Sequence, residues 1–446
     1  FILIPIYTRA LTIKDYGNLD ISLILISLIN IVVSLEISQG LARYYSDLNS
    51  EELKINFVSS AFIYSLCSLL IFTILSIIFS DYLSSLILGS REYSLEFKLI
   101  MIYSFINGIF YFLQNLFRYQ LESKKFLYMS LIFSVGCLIF TLIFTIYFSM
   151  ELDGVITSLI LSSFLGVLYG IIHSRKTIKF FIDFQALKKM IFFSLPLVLS
   201  SLLLWINTYA DRILIRTFLG IEDVGIYAVG FRISNITSLV ALGFQGALMP
   251  LIYANYRNLE SKESLKYIFA LFLSVALFFI FFLTVFSKEF VQIISTDEYI
   301  AASKVIFYLS LSILFTQIYI FMPGISLEKK TNIILMISFL SFITNIALNI
   351  ILIPSFGILG ASIATMLASF LASFFYVYFS QKFYFVEHSL KKILTISSLI
   401  ILVSFLIEIY ILNLYLKILF FLIALGLLLW FLLIYLKIQN FFIKEN

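Results

Sequence analysis

Long apolar segments separated by short polar ones run through the whole sequence. Each apolar run has about 18 residues or more, enough to cross roughly 30 Å of hydrocarbon as an α-helix. The predicted spans are 20–42, 56–79, 97–118, 126–149, 154–174, 191–214, 225–250, 265–287, 302–323, 332–353, 358–380, 391–413 and 416–437. Residues 1–7 have the pattern of the end of one further helix. We therefore predict an all-α polytopic membrane protein with fourteen spans in the intact protein, the first one truncated here.

A shift of 206 residues aligns the chain with itself. Identical short motifs recur at this spacing: Gln39-Gly40 with Gln245-Gly246, Glu92-Tyr93 with Glu298-Tyr299, and Ser163-Phe164-Leu165 with Ser369-Phe370-Leu371. Six spans, an even number, fit within one shift, so both copies have the same orientation. The predicted organisation is a six-helix lobe at 1–174, a cytoplasmic interfacial linker at 175–190, a second six-helix lobe at 191–382, and two additional transmembrane helices at 391–437. A central cavity is expected where two such parallel lobes meet.

Composition and charge agree with a membrane location. Hydrophobic residues make up 62% of the chain and charged residues 12%, whereas soluble domains average about 25% charged. Most of the 30 Lys and Arg residues fall at one set of alternate helix ends, which the positive-inside rule assigns to the cytoplasm together with both termini. The net charge of +5 follows from this topology and gives no case for nucleic acid. The basic and aromatic segment 175–189 fits either an interfacial helix on anionic lipid or a solvated linker.

The sequence lacks the motifs of the common enzyme classes. It has two histidines, His173 and His388, both at predicted helix ends, which leaves little room for metal or triad chemistry. It has no Gly-rich nucleotide-binding loop. We therefore predict a protein that is not an enzyme, with no catalytic residue, metal or cofactor.

Polar residues inside the spans mark the candidate site, because an ionisable group in hydrocarbon costs about 2.5–3.5 kcal/mol unless it has a partner or a wet cavity. Span 97–118 carries a helical stripe of Tyr103, Asn107, Tyr111, Gln114 and Arg118. Span 191–214 carries Asn207, Asp211 and Arg212, and the next span carries Arg232 and Asn235. Arg212 either faces the cavity or pairs with Asp211, and Arg232 either faces the cavity or reaches toward the outer surface.

Two further stripes consist of Ser and Asn alone, which more often join helices to each other. The stripes are Ser27, Asn30, Ser34 and Ser38 in one copy, and Ser338, Ser341, Asn345 and Asn349 in the other. For both, hydrogen bonds between helices are the favoured interpretation.

These residue types indicate the class of cargo. Arginine binds phosphate through two parallel hydrogen bonds and keeps its charge when water is excluded. Tyr, Asn and Gln offer the hydrogen bonds and aromatic faces that suit sugars. The predicted cargo is therefore an anionic, sugar-bearing molecule, whereas an exporter of hydrophobic cations would place carboxylates in its spans.

Three segments carry a resemblance to a known family. They are PIYTRALTIKDYG (Pro5–Gly17), ADRILIRTFLGIEDVGIYAVGFRI (Ala210–Ile233) and GILGASIAT (Gly357–Thr365). Together they resemble polysaccharide or O-antigen (oligosaccharidyl-lipid) flippases of the multidrug/oligosaccharidyl-lipid/polysaccharide (MOP) exporter superfamily. The resemblance covers essentially the whole chain. It implies two lobes that alternate access to a cationic cavity.

The resemblance also implies a substrate and a place in the cell. The substrate would be an undecaprenyl-pyrophosphate-linked oligosaccharide, an O-antigen, capsule or related repeat unit, moved from the inner to the outer leaflet of the bacterial cytoplasmic membrane. Membrane lipids and other polysaccharide-assembly proteins would be further partners. Motif positions nominate Arg9, Asp211, Arg212 and Arg232 for the cavity.

We add Arg118 to these residues as an entry contact for the pyrophosphate. Asp211, Glu36 and Glu408 are candidates for ion coupling, because no nucleotide site exists to supply energy. The alternatives are a multidrug or cation exporter of the same superfamily and a membrane polysaccharide polymerase.

Overall fold

A computed structural model describes residues 2–48, 50–245, 259–328, 330–386 and 414–435. Within these ranges the regular secondary structure consists of helices joined by short turns, with no strand. The chain divides into two compact units, Phe1–Tyr209 and Ala210–Asn446. This division falls after Tyr209, whereas the sequence places the start of the second lobe at residue 191.

The first unit is a bundle of nine helices. They are α1 (Ile4–Ala10), α2 (Ile13–Val33), α3 (Ile37–Tyr45), α4 (Glu51–Ile78), α5 (Ser80–Ile87), α6 (Ser94–Tyr119), α7 (Ser123–Thr141), α8 (Glu151–Ser174) and α9 (Phe184–Phe218), whose last residues belong to the second unit. Side-chain caps start two of them. Thr12 accepts a hydrogen bond from the Asp15 amide and Ser50 accepts one from the Leu53 amide, which satisfies backbone donors that the first turn leaves open.

The first Ser/Asn segment is a broken helix rather than the continuous span 20–42 that the sequence predicts. α2 ends at Val33, and Leu35 and Glu36 follow with φ of 48° and 50°, in the left-handed region. Such a conformation costs about 1–2 kcal/mol per residue outside glycine. The chain resumes as α3 at Ile37. The break places Glu36 at a helix end, where its carboxylate is half-buried.

The predicted linker 175–190 is not a helix along its whole length. Residues 178–183 have no helical structure, and α9 begins only at Phe184. Two serines of α4 hold the segment: Ser59 accepts from the Lys179 amide at 2.8 Å and Ser60 from the Asp183 amide at 2.8 Å. Backbone donors that find side-chain acceptors remain satisfied without helix formation. The interfacial-helix interpretation is therefore wrong for residues 178–183.

In the described part of the second unit, eight helices follow the end of α9. They are α10 (Ile221–Ser234), α11 (Thr237–Gln245), α12 (Leu259–Val285), α13 (Ser287–Ile294), α14 (Ser303–Gln317), α15 (Gly324–Leu327), α16 (Thr331–Phe383) and α17 (Leu414–Tyr435). An aromatic cluster forms part of its core, in which the Phe272 and Phe321 rings stack with centroids 4.5 Å apart. Lys417 of α17 pairs with Glu289 of α13 at 2.6 Å.

The predicted spans 332–353 and 358–380 are two helices within α16, separated by a sharp break. α16 covers both 332–353 and 358–380, and Gly357 interrupts it with φ 61° and ψ −143°. Pro354 lies just before the bend, where its missing amide hydrogen removes one helical hydrogen bond. The two helices on either side of this break pack against each other, and Ser341 of the first donates to the Ala368 carbonyl of the second at 3.3 Å.

The helices are long and apolar enough for a membrane. Within the described residues nine helices meet the length and hydropathy needed for a span, and α10 with α11 forms a tenth, bent by 41°. α7 carries an exposed apolar stripe of Leu127, Leu131, Val135 and Ile139, a surface suited to lipid tails and unsuited to water. The chain is thus an all-α multi-pass membrane protein. The total of fourteen spans stays a prediction, since 391–413 lies outside the described residues.

Close packing at Gly324 predicts a steric limit on this fold. A Cβ at Gly324 would lie 2.2 Å from the Ser380 carbonyl oxygen, a backbone atom that cannot move without shifting α16, whereas a Cβ at Gly243 meets nothing within 4 Å. We expect Gly324→Ala to destabilise the folded protein by about 1–3 kcal/mol. Thermal unfolding in detergent, followed by size-exclusion chromatography, measures this. Gly243→Ala is the control and should unfold at the wild-type temperature; equal unfolding temperatures for both variants would contradict the predicted clash.

Candidate functional site

The first unit contains a half-open cavity of about 520 Å³, lined by both polar and apolar residues. Helices α2, α6 and α9 form most of its wall, and single residues of α3 and α4 complete it. The polar and aromatic residues that line it are Ser27, Asn30, Ser34, Glu36, Ser38, Ser65, Tyr103, Asn107, Tyr111, Phe112, Ser201, Trp205, Thr208 and Tyr209. This volume falls within the range of about 300–1,000 Å³ that is usual for small-molecule sites.

A chain of hydrogen bonds joins α2 to α6 across this cavity. Asn30 Nδ2 donates to Asn107 Oδ1 at 3.1 Å, and Asn107 Nδ2 donates to the Tyr103 hydroxyl at 3.3 Å. The contact needs a small residue beside it, because a Cβ at Gly108 would lie 2.8 Å from Asn30 Oδ1. These bonds hold both amide side chains against each other, and because the Tyr103 hydroxyl can donate or accept, the chain of bonds can run in either direction.

Trp205 of α9 provides a fixed aromatic wall. Its indole Nε1 donates to Ser27 Oγ at 2.8 Å and lies 3.3 Å from the Ile24 carbonyl oxygen. The Tyr209 ring packs beside it with centroids 5.7 Å apart. Both rings are half-buried. An indole held at its polar edge keeps its apolar face free to pack against a ligand.

Two buried oxygen atoms of the cavity wall have no hydrogen-bond partner. They are Asn30 Oδ1 and the hydroxyl of Ser65, a residue that is 1% exposed. Leaving a buried polar atom unpaired costs about 1–3 kcal/mol. Both atoms are buried within the wall and are not exposed to the cavity.

The charge of the cavity wall is unlike that of the site the sequence predicts. No Lys or Arg is among its lining residues, and its one charged residue is Glu36. Within the described ranges no group of three or more His, Cys, Asp or Glu residues could hold a metal ion. The cavity therefore offers hydroxyls, amides and aromatic faces but no cation.

Part of the predicted α6 stripe lines this cavity and part does not. Tyr103, Asn107 and Tyr111 line it, as does Glu36. Gln114 instead donates to Ser130 Oγ on α7 at 2.8 Å. Arg118 is exposed at the end of α6, with its guanidinium 5.2 Å from the Phe126 ring centroid. The stripe runs for more than four turns of α6. Its C-terminal part, which contains Gln114, faces α7 instead of the cavity.

The two Ser/Asn stripes have different roles, although the sequence predicts the same one for both. In the second unit Asn345 Nδ2 donates to Thr365 Oγ1 at 3.2 Å and Ser341 to the Ala368 carbonyl at 3.3 Å, which confirms helix-to-helix bonding. In the first unit all four residues, Ser27, Asn30, Ser34 and Ser38, line the cavity. For this stripe, hydrogen bonding between helices is only part of the explanation. Ser27 and Asn30 bond to neighbouring helices, and both also line the cavity.

A buried ion pair lies near the start of the second unit. Arg212 NH1 is 3.0 Å from Asp211 Oδ1, and the Tyr227 hydroxyl donates to Asp211 Oδ2 at 2.6 Å. The Arg212 guanidinium also lies over the Phe231 ring, 4.0 Å from its centroid. Arg212 and Asp211 are 2% and 3% exposed. In this structure Arg212 therefore pairs with Asp211, the second of the two arrangements that the sequence allows, and does not face an open cavity.

The remaining predicted residues are spread along the chain. Arg9 is exposed and donates to the Pro5 carbonyl at 3.1 Å. Arg232 is half-buried in the last turn of α10, and Asn235 is exposed at the end of that helix. Asn207 is half-buried in α9 and is not among the cavity-lining residues. Glu408 lies outside the described residues.

Sequence reasoning missed Trp205, Tyr209 and Ser65. A usable signal exists for the first two: Ser201, Trp205 and Thr208 recur at helical spacing, and Tyr209 follows one turn after Trp205. For Ser65 there is none, because it is one of several serines in α4 and only the position of α6 and α2 shows which serine faces the cavity.

Comparisons with known proteins agree with this fold. The chain is 20% identical to a solved structure described as "Lipid II flippase MurJ, inward closed conformation", with a TM-score of 0.69 over 99% of this chain and 97% of that one. It is 17% identical to an inward-facing multidrug resistance MATE family transporter of the MOP superfamily, with a TM-score of 0.67 over 85% and 92% of the two chains. At these identities the likeness shows the fold.

Two sequence relatives match over shorter regions. "Probable low-salt glycan biosynthesis flippase Agl15" of Haloferax volcanii is 24% identical over 226 residues, 49% of this chain and 48% of the relative. "Uncharacterized membrane protein MJ1068" of Methanocaldococcus jannaschii is 27% identical over 183 residues, 39% of this chain and 35% of the relative. The chain thus matches half or less of the length of these relatives.

The class of protein follows from these matches. The helical fold is that of the MOP-superfamily transporters. The family "Polysaccharide biosynthesis protein" matches residues 1–256, more than half of the chain, and the MatE family matches residues 196–351. The chain therefore belongs to the polysaccharide biosynthesis protein family of this superfamily.

The buried pair predicts a large stability effect. Asp211→Ala removes the carboxylate that neutralises the buried Arg212. We expect the variant to lose about 3–5 kcal/mol of stability, the usual result of breaking a buried ion pair by removing one partner. The matched control is Asp47→Ala, whose partner Arg43 and own side chain are both more than half exposed, with an expected loss below about 1 kcal/mol. Thermal unfolding of both purified variants measures the difference, and a wild-type unfolding temperature for Asp211→Ala would show that the pair contributes little.

Proposed function

We propose that the protein is a flippase that moves a lipid-linked oligosaccharide across the membrane by alternating access. The observation that carries this proposal is the cavity of the first unit, which combines amides, hydroxyls and an ordered indole within membrane-spanning helices. Such a lining suits the hydroxyl groups and apolar ring faces of sugars. Membership of the polysaccharide biosynthesis family supports the same substrate class.

The specific substrate we propose is an undecaprenyl-pyrophosphate-linked repeat unit of an O-antigen, capsule or related glycan. Its sugars occupy the aqueous space bounded by Tyr103, Asn107 and Tyr111, while the polyprenyl tail stays among membrane lipids. The protein acts in the bacterial cytoplasmic membrane with both termini in the cytoplasm, as the distribution of basic residues favours. Other polysaccharide-assembly proteins are its further partners.

Arginine is the residue that we assign to the pyrophosphate. Arg232, Arg9 and Arg118 are the candidates whose side chains are half-buried or exposed, and a guanidinium binds phosphate oxygens through two hydrogen bonds. Arg212 contributes only when its bond to Asp211 opens. We propose Asp211 as a candidate for coupling to an ion gradient, since its carboxylate is the group that holds Arg212 in this structure. Glu36 and Glu408 remain further candidates for that coupling.

An exporter of organic cations is the second candidate function. The match to the MatE family at residues 196–351 favours it, and so does the presence of Glu36 in a cavity with aromatic walls. Drug-susceptibility profiles of cells with and without the protein separate the two functions. A rise in resistance to cationic dyes, with surface glycan unchanged by deletion of the gene, would favour the exporter.

Substitution of Arg232 tests the flippase proposal. In cells whose surface glycan depends on this protein, Arg232→Ala should reduce surface glycan about tenfold, because losing one charge-assisted phosphate contact weakens binding by ~1.5–3 kcal/mol. Lipid-linked repeat units should accumulate on the cytoplasmic side. Surface glycan is measured by immunoblot and the lipid-linked pool by mass spectrometry.

The control for this experiment is another arginine. Arg43→Ala removes an exposed residue outside the cavity, bonded to Asp47, and should leave surface glycan unchanged. Protein level is matched in all strains. Normal surface glycan in cells that lack the protein altogether would refute the flippase proposal, and normal glycan in Arg232→Ala alone would refute the phosphate role of that residue.

A further inference from the structure

The linker 175–190 between α8 and α9 lies at the level where the membrane-spanning segments end. Its middle is tied to α4, because Ser59 accepts a hydrogen bond from the Lys179 amide and Ser60 accepts one from the Asp183 amide. Both serines are fully buried. They lie only three and four residues inside the predicted span of α4, which is roughly 5 Å at the helical rise per residue. The linker backbone is therefore held at the boundary between hydrocarbon and lipid headgroups.

A second contact holds the end of the linker against α3. Met190 is fully buried, and a Cβ at Gly40 would lie 2.7 Å from the Met190 carbonyl oxygen, so the two backbones approach closely. Ala186, one turn earlier on α9, is buried as well. The linker thus has an inner face fixed to α3 and α4, and its remaining side chains point outward.

Three phenylalanines lie on the outward face. Phe180 is 89% exposed, the highest fraction among the large apolar side chains that the structure describes. Phe184 is 76% exposed and Phe181 is about half exposed. Apolar rings left in water forgo the stabilisation that burial gives, and the bonds to α4 keep this backbone from turning the rings inward. Aromatic rings on an interfacial segment are instead accommodated where the headgroups meet the acyl chains.

Basic side chains surround these rings. The five basic residues of the linker are Arg175, Lys176, Lys179, Lys188 and Lys189. All five are exposed, and none forms an ion pair within the described part of the chain. The one acidic residue of the linker, Asp183, is used at the start of α9, where its Oδ1 accepts from the Gln185 amide at 2.8 Å and the Ala186 amide at 3.1 Å. The positive charge of the linker is therefore available to an external anion.

We propose that the linker 175–190 is a binding surface for anionic phospholipids. Its phenylalanine rings enter the lipid beside the first carbons of the acyl chains, and its basic side chains contact the phosphates above them. A bilayer surface supplies both partners, since it places apolar chains at a fixed depth and many anions in one layer. A soluble anionic partner would meet the charges but leave Phe180 and Phe184 in water. This surface lies outside the cavity and does not depend on the nature of the cargo.

Lipid selectivity of the purified full-length protein tests the role of the charges. The protein in detergent is titrated with phosphatidylglycerol, and separately with phosphatidylcholine of the same acyl chains, and bound lipid is counted by native mass spectrometry. We expect phosphatidylglycerol to bind about tenfold or more tightly than phosphatidylcholine. Lys179→Gln combined with Lys188→Gln should weaken phosphatidylglycerol binding about tenfold, because each basic residue near an anionic surface contributes about three- to fivefold.

The matched control removes two lysines elsewhere in the first unit. Lys54→Gln combined with Lys125→Gln makes the same change in net charge, but these lysines already pair with Glu51 at 2.8 Å and Glu122 at 2.7 Å. Phosphatidylglycerol binding should stay at the wild-type level. Equal losses in the two double variants would show a general charge effect and overturn the assignment to the linker. Equal binding of both lipids by the wild-type protein would overturn it as well.

The depth of Phe180 is an independent measurement. In a background of Cys67→Ala and Cys137→Ala, Phe180→Cys carries a fluorescent label, and the protein is placed in nanodiscs that contain phosphatidylglycerol. We expect strong quenching by lipids that are spin-labelled near the headgroup end of the acyl chain, and weak quenching by acrylamide in the water. Ser46→Cys, at an exposed residue just after α3, is the control and should show the opposite pattern. A label at residue 180 that acrylamide quenches as strongly as the one at residue 46 would identify a solvated linker and overturn the proposal.

Discussion

The cost of an unsatisfied polar group inside hydrocarbon governs this structure. Every amide, hydroxyl or charge on a membrane-spanning helix must find a partner or face water. The helices meet this demand in several ways: serine hydroxyls bond back to their own helix, Gln114 bonds across to α7, and Asp211 with Arg212 forms a closed pair.

The two units meet the same demand with different chemistry. In the first, neutral amides and hydroxyls bond in a chain through Asn30, Asn107 and Tyr103 and leave open space beside them. In the second, opposite charges and the Tyr227 hydroxyl close on each other with aromatic rings above them. A neutral network keeps its bonds when a neutral ligand enters. The buried Arg212–Asp211 pair, in contrast, opens only if another charged or polar group replaces the partner that each residue loses.

This division fits a substrate with two dissimilar ends. Sugars offer hydroxyl groups and apolar ring faces, and a pyrophosphate offers concentrated negative charge. One set of lining residues does not suit both the sugars and the pyrophosphate. The Glu36 carboxylate in the cavity would repel a nearby phosphate, because the two charges have the same sign.

The sequence by itself determined the membrane class, the helical fold and much of the polar content of the site. Apolar run length and charge fix these because a bilayer imposes one solvent on every span. The sequence also identified Tyr103, Asn107 and Tyr111, which line the cavity. Only the tertiary structure showed that Ser27 and Asn30 face the same space, that Trp205 and Ser65 complete it, and that Arg212 closes on Asp211. Helical spacing places a residue on a face, but the neighbours of that face come from distant parts of the chain, and they decide whether it meets a helix, a cavity or an opposite charge.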